Sequence, residues 1–112
     1  DIVWSDPADV GDWTPSSRGS GYLFGPRQTK EFLQQNEMKR IIRSHQVIMD
    51  GYEELFDREV FTVWSAPNYM YRTGNKACVL LINGFLPDET IFFNQREEKI
   101  VDEISDPWPY FV

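Results

Sequence analysis

The sequence is short of histidine, cysteine and positive charge. It holds one histidine and one cysteine in 112 residues, and 18 acids outnumber 11 bases for a net charge of −7. A lone Cys78 can neither close an internal disulfide nor build a cysteine-rich zinc module, and it fits a reducing compartment. Without a second histidine, no Cys/His/Asp constellation for nucleophilic catalysis is found. The acidic balance argues against nucleic acid or an anionic membrane as partner, since both demand a positive footprint. The longest apolar run, residues 77–82, falls far short of the roughly 20 residues a membrane helix needs. There is no Asn-x-Ser/Thr site and no basic-then-apolar signal peptide. The opening Asp1-Ile2-Val3-Trp4 reads like the middle of a strand, so the chain reads as a piece of a longer protein.

What is present is globular material, 41% hydrophobic and 15% aromatic, in an amount that suits one small domain. Charge is unevenly placed. Residues 1–13 carry four acids and no base, whereas residues 18–43 carry six bases and two acids. Residues 50–59 swing back to −4 and residues 88–106 to −5. The basic block is the place where an anion would be welcomed, although on charge alone an ordinary mixed-charge surface is the favoured reading.

The pattern predicts a strand at residues 1–4 that stops at Ser5-Asp6-Pro7. Residues 8–25, rich in Gly, Ser and Pro, read as a long loop. A helix is expected over residues 26–38, with Pro26 in its first turn and Phe32 and Leu33 as its apolar stripe. Strands follow at 39–44 and 60–64, separated by a turn with one short helix. Residues 77–82 predict a strand buried on both faces. A bend falls at Asn83-Gly84 or at Leu86-Pro87-Asp88, before a strand at 90–94. The expected division is a domain over 1–95 and an acidic tail over 96–112. Four or five strands with one helix give an α+β or α/β fold class.

Three features carry chemistry. His45 follows a predicted strand, where α/β sheets place their sites, and imidazole serves as metal ligand or acid-base group. A hydrogen-bonded, half-buried histidine is the other reading. Arg18 lies between Ser17 and Gly19 in the Gly-rich loop, where backbone can approach a ligand and guanidinium can fork onto phosphate. A solvent-facing arginine is the alternative. Residues 65–69 break a strand at Pro67 and expose Asn68 and Tyr69, as a cleft wall or as a plain loop.

Read together, WSDP at residues 4–7, SRGSGYLFG at 17–25, RSHQVIMDGY at 43–52 and SAPNYMYRTGN at 65–75 occur in one order. The chain closely resembles the C-terminal half of the phosphoprotein phosphatases, the metal-dependent Ser/Thr protein phosphatases. Its ending Pro109-Tyr110-Phe111-Val112 resembles the type-2A branch with its type-4 and type-6 relatives. The resemblance implies a calcineurin-like metallophosphoesterase β-sandwich flanked by helices, of which this chain is the C-terminal portion. It implies that His45 ligates one of two divalent ions (manganese, or iron and zinc), that Arg18 grips the substrate phosphate and that Tyr69 overhangs the cleft. Asp6 would stand in support close to the cleft, and Trp4 would border a hydrophobic groove. The implied reaction is attack of metal-activated water on phosphoserine or phosphothreonine in proteins. Regulatory and scaffold subunits are the implied partners, and the cytoplasm, with the nucleus, the implied location.

The chain departs from the family in several places. The first-half motifs GDxHG, GDxVDRG and GNHE are absent, and with them most metal ligands, so the chain alone is expected to be inactive. Met70 and Thr73 stand where type-2A members carry cysteines, and Val112 replaces the usual leucine. Two competing readings are a non-catalytic binding fragment or truncated pseudo-phosphatase, and a metallophosphoesterase acting on small phosphoesters. SAPNY and WSDP argue against the latter.

Overall fold

The computed structural model describes residues 1–96; residues 97–112 of the expected acidic tail lie outside the described residues. Among the described residues, eight strands form three small sheets, accompanied by one α-helix. The first sheet orders β1 (Asp6–Pro7), β3 (Tyr22–Phe24) and β2 (Thr14–Pro15). β1 runs parallel to β3 and β2 antiparallel to it. Both prolines sit on edge strands, where a missing N–H leaves no gap in the ladder. The expected strand at residues 1–4 is instead a turn, with the amides of Trp4 and Ser5 both donating to the Asp1 carbonyl. A stretch with no partner strand closes on itself, and pairing begins only at Asp6. The expected long loop likewise contains β2 and β3.

Helix α1 (Pro26–Gln35) starts where Gly25 donates its amide to the Gln28 side chain, and Thr29 Oγ1 donates back to the Gly25 carbonyl at 2.9 Å. It stops three residues earlier than expected. The Asn36 side chain turns back to the Phe32 carbonyl, and Glu37 takes a left-handed φ of 53°. Leu33 is buried, while Phe32 of the expected stripe remains half exposed.

The second sheet has β6 (Val60–Val63) at its centre, parallel to β4 (Ile41–Arg43) and antiparallel to β5 (Tyr52–Leu55). β5 replaces the turn and short helix expected there. Phe56, Asp57 and Arg58 all have positive φ, which turns the chain back so that β5 pairs with β6. The third sheet is an antiparallel pair, β7 (Ala77–Leu81) and β8 (Glu89–Phe93). Their connection spans residues 82–88 and bends at 84–86 rather than in a two-residue turn. Cys78 donates its amide to the Trp64 carbonyl and Trp64 its amide to the Gly51 carbonyl, so β7 is stitched beside the second sheet. Gly51 is required at that seam: its φ is +79°, and a Cβ there would meet the Ala77 backbone at 2.8 Å. β7 is not buried on both faces, since Ala77 and Cys78 are fully buried but Val79 and Leu81 are 44% and 43% exposed. The hydrophobic core among the described residues is Leu33, Val60, Phe61, Ala77 and Cys78.

Candidate active site

Asp6 ties the first two sheets together. Its side chain is buried, and both carboxylate oxygens accept from guanidinium groups, Oδ2 from Arg18 Nε and Oδ1 from Arg43 Nη2, each at 2.7 Å. Arg43, the last residue of β4, also donates through Nη1 to Gln46 Oε1 at 2.8 Å and to Thr62 Oγ1 at 3.2 Å. Burial pushes the Arg43 pKa down and the neighbouring Asp6 opposes that shift. The guanidinium stays charged all the same, because arginine holds its proton in proteins.

Arg18 reaches this carboxylate from a loop closed by its own small residues. Its amide donates to Ser16 Oγ, and the Ser16 amide donates to the Gly21 carbonyl. Gly21 has φ +74°, and a Cβ there would come within 2.8 Å of the Trp4 backbone, so the loop lies flat on Trp4. Among the described residues, Arg18 Nη1 and Nη2 hold no protein hydrogen bond, and the side chain is partly open to solvent.

His45 lies two residues beyond Arg43. The Trp4 indole meets its ring edge-on, with centroids 5.2 Å apart. His45 Nε2 is buried and has no hydrogen-bond partner among the described residues. A buried polar atom normally finds one, so an orphaned imidazole nitrogen fits a metal ligand. No group of three His, Cys, Asp or Glu side chains able to hold an ion occurs among the described residues. An ion held by His45 Nε2 would therefore take its other ligands from outside the described residues.

Asp6, Arg18, Trp4 and His45 are therefore brought together. The ring of Tyr69 instead packs edge-on against Trp64, with centroids 4.8 Å apart. It opens a short 3-10 helix (Tyr69–Tyr71) whose surroundings are strained, with positive φ at Asn68, Met70 and Tyr71. Asn75 over-determines this loop. Its Oδ1 accepts from the Tyr69 amide at 2.8 Å, and its Nδ2 donates to the Ala66 and Lys76 carbonyls.

Arg43, Gln46, Thr62 and Asn75 shape the site without standing out as site residues in the sequence. The signal for Arg43 was its place two residues before His45, on the same strand exit. An apolar cavity of about 610 Å³ opens nearby, lined by Ile2, Trp13, Phe24, Phe32, Ile41 and Arg43 among others. Trp4, expected at a hydrophobic groove, is not among its lining residues.

A family model described as calcineurin-like phosphoesterase matches residues 1–49. The chain is 52% identical, over its whole length and 38% of the relative, to the serine/threonine-protein phosphatase 4 catalytic subunit of Saccharomyces cerevisiae. It is 44% identical, over 95% of this chain and 30% of the relative, to the serine/threonine-protein phosphatase 6 catalytic subunit of Caenorhabditis elegans. Among solved structures, it superposes with a TM-score of 0.72 and 30% identity on a protein serine/threonine phosphatase from Saccharomyces cerevisiae with similarity to human phosphatase PP5. That match covers 85% of this chain and 33% of the other. The chain thus spans about a third of the length of the curated relatives it matches.

Proposed function

We propose that the chain, a member of the phosphoprotein phosphatase family in the branch of the type 4 and type 6 catalytic subunits, supplies the C-terminal part, about a third, of a serine/threonine protein phosphatase catalytic subunit. One observation supports this reading: the Arg18–Asp6–Arg43 cluster leads, two residues past Arg43, to His45, whose buried Nε2 has no partner among the described residues. With Nε given to Asp6, the two Nη groups of Arg18 are left to grip phosphoryl oxygens and to offset the charge they carry in the transition state. Asp6 has both oxygens engaged and is no general base. His45 Nε2 would hold one of two divalent ions, manganese or iron with zinc. When bound, such ions supply an activated water and charge neutralisation. Tyr69, on the loop tied down by Asn75, would limit the cleft. The sequence has no second histidine, so the proton for the leaving serine or threonine oxygen would come from a group outside this chain.

Phosphoproteins are the substrates in this reading, regulatory and scaffold subunits the partners, and the cytoplasm, with access to the nucleus, the location. The test joins the N-terminal part of the yeast type 4 relative ahead of Asp1 and assays a phosphopeptide with manganese. Turnover is expected, and Arg18→Ala should lower kcat/KM by about two orders of magnitude or more, since the contact strengthens in the transition state. His45→Ala should abolish turnover. Absence of turnover, or indifference to His45→Ala, would refute the proposal. The 112-residue chain by itself is expected to show none. A non-catalytic binding fragment draws on the same shortage of ligands, and coding sequence upstream of Asp1 without GDxHG and GNHE would favour it.

A further inference from the structure

We propose that Arg43 is a positioning residue for phosphate binding: buried behind Asp6, it fixes the carboxylate that holds Arg18 and supplies the positive charge that Asp6 would otherwise cancel. The proposal rests on the reading of Arg18 as the phosphate-gripping group. Three observations support it.

The first is geometry. Arg43 is held at three points, by Asp6 Oδ1, Gln46 Oε1 and Thr62 Oγ1, and its side chain is only 11% exposed. A guanidinium locked on so many sides can serve as a fixed post for the next carboxylate. Arg18, in contrast, stands on a loop and shares a side-chain hydrogen bond only with Asp6 among the described residues.

The second is connectivity. Asp6 and the Arg18 loop belong to the first sheet, whereas Arg43 ends β4 of the second and leads within two residues to His45. The Asp6–Arg43 bridge therefore registers the phosphate-gripping guanidinium against the metal-ligating imidazole. Without it, the two groups would hang from separate sheets.

The third is charge. Arg18 and Asp6 alone make a neutral pair, which offers little to a phosphate dianion. With Arg43 the cluster carries one net positive charge, set in a chain of net charge −7. Partial burial strengthens this local field, because bulk screening is reduced.

The test uses the chain completed by the N-terminal part of the yeast type 4 relative and measures inorganic phosphate affinity by calorimetry, which needs no turnover. Arg43→Met is compared in the Arg18 parent and in Arg18→Ala. Because Arg43 acts through Arg18 as well as by its charge, the effects should be coupled: about a tenfold loss of phosphate affinity in the parent, and a loss about threefold smaller where Arg18 is gone and only the change of charge remains. Equal losses in both backgrounds, or no loss, overturn the proposal, since a merely structural role would not depend on Arg18. Arg43→Lys keeps the charge but not the fork, and should recover part of the affinity. Should Arg43→Met fail to fold by circular dichroism, Arg43→Lys takes its place in the same comparison: a loss confined to the Arg18 parent supports the proposal, and equal losses or none overturn it. If the completed parent binds no phosphate, the reading of Arg18 fails, and the Arg18 Nε–H resonance decides on positioning. A slowly exchanging signal lost in the Arg43 variant supports it, and an unchanged signal overturns it.

Discussion

Asp6 is the residue on which the site turns, because two cations share its buried carboxylate. Replacing it with alanine leaves the largely buried Arg43 guanidinium with no counter-charge. Removing one partner of a buried pair costs roughly 3–5 kcal/mol, more than the pair itself is worth against an apolar substitute. Urea unfolding of the completed chain should therefore report that loss for Asp6→Ala, and a change under about 1 kcal/mol would contradict a buried, shared carboxylate. At this scale, much of the candidate site is legible in sequence. An arginine between serine and glycine, and a single histidine at a strand exit, stand out from their own neighbours. Arg43 does not. On a short strand it reads as one more surface base, and only the fold reveals that Asp6, 37 residues away, is its partner.

Among the elements, β5 illustrates what pattern reading misses. Its Tyr52-Glu53-Glu54 stretch looks like a charged turn, yet the backbone pairs register by register with β6, and the Tyr52 ring lies over Phe61 at 6.2 Å. Tertiary pairing overrides local preference in such short strands. β6 itself, rich in β-branched and aromatic residues, is legible because its side chains are the core. The approach to β4 is fastened to the start of β8 by an ion pair between Arg40 and Asp88. The hydrogen bond from Arg40 holds the Asp88 carboxyl below its ordinary value. Folding thus favours the ionised form, and the stabilisation is present above the unfolded carboxylate pKa and is lost as pH falls through the lower folded value. Thermal melts of the completed chain from about pH 5 down to about pH 2.5 should show wild type converging on Asp88→Asn. A gap that persists at the acid end would contradict the assignment.

At the scale of the whole molecule, the described residues close around only a small core. Five hydrophobic residues make up the buried core of the described residues, while Ile91, Phe92, Val79 and Leu81 face outward from the third sheet. The fold class was legible from the order of strands and helix, but the count of eight strands was not, because two- and three-residue pairings leave almost no periodic signal. Apolar area left in water favours any partner that covers it. The chain by itself should therefore brighten an aminonaphthalene-sulfonate dye, and the completed chain should do so several-fold less; equal emission from both would mean that these faces stay wet in the larger protein. Trp4 adds a practical consequence. Its indole stands edge-on to His45 and half in solvent. A cation settling on that imidazole would change the electronic surroundings of the indole, so its emission colour offers a label-free optical test of whether the completed chain takes up a metal ion there.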